Sequence, residues 1–345
     1  MLNLSKTGFG IRLPMAGPLA NMANLLQVAK TSEEMHYDII WASDHIMWTS
    51  KMISHIGTGS LEAVKQDQDP DVFESITTLS YLAGVVKQIK LGIAVLVPVP
   101  RHPVVLAKQL ANLDILSQGR LCLGIGIGSK GTSAEPFAAF KMPFNQRGKM
   151  VDEYITSLKE IWTKKVSSFS GKFVNFENVE VYPKPQQKPY PRILTGGFST
   201  AAIRRAARLG DGWLPGFLTP DQVHDGLEKI KDTRNSLGLT SEGFHVSVSA
   251  FTSIADDAKD AEKIASRTIT SRLASMGKEK LSVTPSFEEA KKICLFGDPR
   301  EITERIGEYV DAGVDDFELH LICHNMNSFV EMMEVYATKV IPSFK

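Results

Sequence analysis

The chain has little cysteine, no long apolar run and no net charge. Its three cysteines, Cys122, Cys294 and Cys323, are odd in number and far apart. Without Cys-x-x-Cys spacing they support neither a zinc knuckle nor a disulfide framework, and a reducing interior fits best. No stretch of about 18 apolar residues occurs, so no membrane span is expected. The first residues, Met-Leu-Asn-Leu-Ser-Lys-Thr-Gly, lack the basic-then-apolar order of a secretory signal. Lys+Arg and Asp+Glu stand at 39 each, so no global field steers nucleic acid or an anionic membrane to the chain. The expectation is a soluble cytoplasmic protein that meets a small-molecule substrate.

Several catalytic signatures are also missing. There is no Gly-x-Ser-x-Gly elbow and no Gly-Lys-Ser/Thr phosphate loop. His320 and His324 lie in a strand-like segment, where four residues span about 13 Å, too far for one ion. No metal site is expected.

What is present is an alternation. The 345 residues are 43% apolar and 23% charged, enough to bury a large core. Strand-like runs occur at Phe9–Leu13, Ile39–Ala42, Ile89–Val97, Arg120–Ile127, Arg192–Thr195, Gly212–Phe217, Phe244–Ile254 and Asp316–Cys323. Helical periodicities follow them, for example Leu19–Glu34, Val72–Val86, Pro103–Leu116, Arg147–Trp162, Thr200–Leu209, Pro220–Leu237 and Pro299–Ala312. Eight strand–helix repeats predict an α/β fold, a (β/α)8 TIM barrel, as a single domain over 1–345. The surplus falls in insertions near 46–70, 129–145 and 255–296. Ser129–Met142 has no clear period and reads as a loop. An open doubly wound sheet would need a glycine fingerprint after its first strand, where this chain has Leu13-Pro14-Met15-Ala16.

Barrel enzymes work at the carboxyl ends of their strands. The second strand ends in Ser43-Asp44-His45, with Trp48 shortly after. An imidazole there can handle a proton, a neighbouring carboxylate can fix its tautomer, and the indole can exclude water. Helix capping and packing are the plainer reading of the same residues. The third strand carries Gly92, a mark of a bulge or close backbone approach, and Ala94-Val95, a small step that could press on a flat ring. The fourth carries Gly124, Gly126 and Gly128 before Ser129, a weak phosphate motif that close strand packing explains equally well. The fifth ends Gly196-Gly197-Phe198-Ser199 before a helix bearing Arg204 and Arg205, the better anion site.

In order along the chain stand Ile89-Lys90-Leu91-Gly92, Arg101-His102-Pro103, Leu113-Asp114-Ile115-Leu116-Ser117-Gln118-Gly119-Arg120 and the glycines of 124–128. Arg147-Gly148, Asp152-Glu153, Pro183-Lys184-Pro185-Gln186, Gly196-Gly197 and Gly210-Asp211-Gly212-Trp213 follow. This ordered set resembles the bacterial luciferase-like superfamily, in particular its coenzyme F420-dependent branch. The resemblance implies a barrel with a ring cofactor at the strand ends. It assigns Asp44, His45 and Trp48 to catalysis, and a bulge with a non-proline cis peptide to Ala94-Val95 under the ring. It assigns the cofactor phosphates to the Gly196-Gly197 loop; Gly126, Gly128, Ser129 and Phe198 complete the candidate cofactor contacts. The expected activity is hydride transfer between coenzyme F420 and a small organic molecule, in a homodimer. The alternative is an FMN-dependent monooxygenase using dioxygen; a carrier without turnover is a third reading. The chain departs from several dehydrogenases of the branch: Ser129 stands where they have glutamate, as do Met15-Ala16. Glu135 is the candidate substitute.

Overall fold

The computed structural model describes residues 6–47, 71–277 and 286–345. Eight parallel strands close a barrel: β1 (Gly8–Arg12), β2 (Ile39–Ala42), β3 (Lys90–Leu96), β4 (Leu121–Ile125), β7 (Ile193–Gly196), β8 (Gly212–Leu214), β9 (His245–Ile254) and β11 (Asp316–Leu321). They neighbour one another in that order, and β11 returns to β1. All eight strands foreseen in the sequence are present. The hairpin β5 (Ser167–Ser170) and β6 (Asn175–Val179) stands apart as a small antiparallel sheet.

The barrel interior is organised by one side chain. Trp41, fully buried on β2, extends its indole over Gly10 and Gly92 on the flanking strands. A Cβ at Gly92 would come within 2.1 Å of the ring, and one at Gly10 within 2.5 Å of its Nε1. So Gly92 serves a close approach of side chain to backbone. The indole packs with Ile39, Ala94, Leu194 and Leu214 inside the barrel. A separate, larger core lies between strands and helices, with Phe9, Ile11, Leu79, Leu110, Leu158 and Ile230 among its members.

The helix Pro103–Leu116 starts and stops where its proline and periodicity place it. Its terminal motif is structural. Gln118 and Gly119 turn with positive φ of 56° and 78°. Arg120 then donates to the carbonyls of Ile89, Val86 and Ala83 at 2.7, 2.9 and 3.1 Å. Asp114 accepts from the backbone and side-chain nitrogens of Gln187 at 2.8 and 2.6 Å. These bonds tie the amino-terminal face of the barrel, the face associated with stability.

The insertions differ from expectation in one respect. Ser129–Met142 is not a loop for most of its length: Lys130–Ala139 is a helix, capped by Ser129, with Pro136 inside it. Its mixed Gly131, Thr132, Ser133 and Pro136 leave little apolar periodicity to detect. The insertion 255–296 holds the helices Ala258–Gly277 and Phe287–Lys291 and a short strand, β10 (Leu295–Gly297). β10 pairs with Thr252–Ile254, the part of β9 that extends past its contact with β8 at His245 and Val246. Most of the 46–70 insertion, Trp48 included, lies outside the described residues. Among the described residues no helix is long and apolar enough to cross a membrane.

Candidate active site

The carboxyl ends of all eight barrel strands open onto a cavity of about 530 Å³. Its wall includes His45, Asp44, Ala94, Val95, Gly126, Gly128, Ser129, Gly196, Gly197 and Phe198. The sequence-selected residues within the described part of the chain therefore meet in one place. Glu135 is not among the lining residues.

Asp44 is fully engaged. Its Oδ1 accepts from Ser75 Oγ at 2.8 Å and from Arg101 at 2.7 Å; its Oδ2 accepts from the Val97 amide at 3.0 Å and from Arg101 at 2.9 Å. Arg101 also reaches Glu74 at 2.7 Å. Asp44 thus joins the ends of β2 and β3 and fixes the backbone that carries His45. Its carboxylate is spent on that work.

His45 is half-buried on the cavity wall. Desolvation pushes its imidazole down to about 4; the Asp44 charge opposes this, and the Arg12 charge adds to it. At neutral pH the ring is uncharged, with one nitrogen to donate and one to accept.

On β3 the Ala94–Val95 peptide is cis, as the resemblance implied, and the pairing with β4 shifts register between Ile93 and Leu96. The turn aims Val95 into the cavity. Space for it is made by glycines: a Cβ at Gly126 would lie 2.3 Å from Val95 Cγ2, and one at Gly196 or Gly124 within 3.1 or 3.3 Å of its Cγ1. Close packing is what Gly124 and Gly126 provide.

Two helices begin at the cavity rim. Gly128, with φ +76°, leads into Ser129, whose hydroxyl accepts from the Thr132 amide at 3.3 Å. Gly197, with φ +96°, leads through Phe198 into Ser199, whose hydroxyl accepts from Ala202 at 3.2 Å. Trp213 Nε1 holds the Gly197 carbonyl at 2.7 Å. The helix starts after β4 and β7 present amides and positive dipole ends together. The arginines do not assist there: Arg205 pairs with Asp152 and donates to the Gly148 carbonyl at 3.0 Å, and Arg204 is exposed.

Two charged residues were not singled out from the sequence. Arg12, at the end of β1, pairs with Glu318 of β11 and donates to the carbonyl oxygen of Ala94 at 2.6 Å. The Glu318 side chain is 0% exposed and that of Arg12 20%, and both line the cavity. The second oxygen of Glu318 and the Nε1 of Trp41 are buried and have no hydrogen-bond partner among the described residues. On the β8–β9–β11 side, Phe217 stacks on Phe251 and Phe251 lies against His320, with ring centroids 5.0 and 4.5 Å apart. That wall is aromatic.

A sequence profile of the family described as luciferase-like monooxygenase matches residues 7–316. The chain belongs to this family. Among curated relatives, the FMNH(2)-dependent dimethylsulfone monooxygenase of Pseudomonas putida is 28% identical over 295 residues, 78% of each protein. Among solved structures, an F420-dependent secondary alcohol dehydrogenase in complex with an F420-acetone adduct superposes with a TM-score of 0.79 at 16% identity, over 99% of each chain. The monooxygenase RslO1 from Streptomyces bottropensis superposes with a TM-score of 0.77 at 21% identity, over 98% of this chain and 100% of its own. The chain is a member of a luciferase-like oxidoreductase family; the curated relative is named for FMNH(2), and the structural neighbour for F420.

Proposed function

We propose that this luciferase-like oxidoreductase uses the deazaflavin coenzyme F420 to move a hydride to or from a small organic substrate. The observation that carries the reading is the end of β2. There Ser43-Asp44-His45 leads into the cavity, with His45 uncharged and its backbone pinned through Asp44.

The residues present fit a flat ring with an anionic tail. Val95 and the glycines around it form a narrow shelf. The helix starts at Ser129 and Ser199 offer amides to a phosphate. When bound, the coenzyme supplies the hydride chemistry. The protein binds, orients and handles the proton. Neutral His45 accepts a proton from a substrate hydroxyl in one direction and returns it in the other. Asp44 and Arg101 keep the imidazole in place. The aromatic wall of Phe217 and Phe251 receives the apolar part of the substrate.

The likeness to an FMNH(2)-dependent dimethylsulfone monooxygenase favours a second reading, an FMN-dependent monooxygenase. Oxygen uptake by the purified protein with reduced FMN separates the two. The deazaflavin reading predicts no uptake above that of the free flavin. Uptake that depends on the protein and on an added organic substrate contradicts it.

A further inference from the structure

Arg12 is held more firmly than a cavity-lining arginine needs to be. Its Nε goes to Glu318 on β11 and one Nη to the Ala94 carbonyl on β3. A guanidinium has five N–H donors, so these two bonds fix its plane and leave others for the cavity. One clamp is the carbonyl of the same peptide whose Val95 forms the shelf. The position of the charge is thereby tied to the shelf.

The topology sets where that charge stands. In the ring β1-β2-β3-β4-β7-β8-β9-β11, β7 lies four places from β1, and β4 four places from β11. The helix starts at Ser129 and Ser199 follow β4 and β7; Arg12 and Glu318 sit on β1 and β11. The two polar ends of the cavity are therefore opposite one another. A molecule with its anionic tail at the helix starts brings its far edge to Arg12. In a flavin-type ring an edge of carbonyls and an imide suits a planar donor, and that edge gains negative charge when the ring is reduced.

We propose that Arg12 anchors the carbonyl edge of the bound ring and favours its reduced form, with Glu318 as the residue that positions Arg12. This rests on the reading that the cavity takes a flavin-type ring.

The test compares dissociation constants of oxidised and reduced ring, measured anaerobically by fluorescence titration with coenzyme F420 and with FMN. The full-length wild type should bind the reduced form of its cofactor more tightly. Arg12→Met should lower that oxidised-to-reduced ratio tenfold or more, and Glu318→Gln should lower it by less. The paired replacement Arg12→Met with Glu318→Met leaves no unpaired buried charge and guards against misfolding; it should lower the ratio as Arg12→Met does. A residue with a merely structural role would weaken both forms equally. An unchanged ratio in either folded Arg12 variant overturns the proposal. If the wild type binds neither ring in either state, the functional reading fails and the proposal with it.

Discussion

Arg101 grips Asp44 with both terminal nitrogens, at 2.9 and 2.7 Å, and neither side chain is more than 10% exposed. The pair joins the helix-entry loop after β3 to the end of β2, one residue before His45. Removing Asp44 leaves Arg101 with the partly exposed Glu74 alone and takes the acceptor away from the Ser75 hydroxyl and the Val97 amide. Asp44→Ala should therefore cost about 3–5 kcal/mol of stability. Urea unfolding checks this; a loss below about 1 kcal/mol would place the pair with ordinary surface ion pairs.

His45 gives a prediction with a sign. Its folded value, about 4, lies below the ordinary histidine value. The unfolded chain therefore takes up this proton more readily. The contribution of neutral His45 is full above pH of about 6.5 and is lost as pH falls through about 4. Compared with a His45→Gln variant, the wild type should lose extra stability over that window and none above it. Urea midpoints at a series of pH values measure the difference. A difference that instead opens between pH 7 and 9 contradicts the assignment.

Turnover should follow the same value. His45→Gln should lower kcat by about 10²–10⁴, with cofactor affinity changed little. In the wild type no loss of rate attributable to His45 should be seen between pH 8 and about 5. A limb of the rate profile near pH 6.5 that the variant lacks would show an imidazole exposed to water.

Gly92 tests the barrel interior. A methyl group there meets the Trp41 indole, so Gly92→Ala should destabilise the fold by about 1–3 kcal/mol or more. Combining it with Trp41→Leu should recover part of that loss, because the clash is removed. Thermal melts of the two single variants and the double variant decide it. Simple additivity would mean that the ring and the glycine do not interact.

Gly197 tests the anion end. A Cβ at this positive-φ position lies 3.1 Å from that of Ala202, at the start of the helix. Gly197→Ala should reduce the preference for FMN over riboflavin about tenfold, the loss expected when a charge-assisted bond or two is displaced. Equilibrium titration with the two ligands reads it directly. An unchanged preference places the phosphate elsewhere.

Most of the fold was legible because parallel strands and amphipathic helices alternate, and prolines and glycines punctuate them. The cluster at Asp44-His45 was visible as polar residues ending an apolar strand. Gly196-Gly197-Phe198-Ser199 was visible as a turn opening a helix. Arg12 and Glu318 were not, since Arg12 is a lone charge ending an apolar strand, Glu318 is one of several polar residues in the last strand, and the two lie 306 residues apart. Only closure of the barrel brings β11 beside β1. The role of Asp44 was half legible: its place could be read, but its pairing with Arg101 depends on how the loop after β3 folds back. The helix at Lys130–Ala139 was hidden by its small and polar residues.

Competition between the two ring cofactors tests the central claim most directly. The purified protein is titrated anaerobically with coenzyme F420 and with reduced FMN, each against the other, and occupancy is read by fluorescence. The account predicts that coenzyme F420 binds and displaces FMN, and that His45→Gln keeps this binding while losing turnover. Binding of reduced FMN with no binding of the deazaflavin would contradict it.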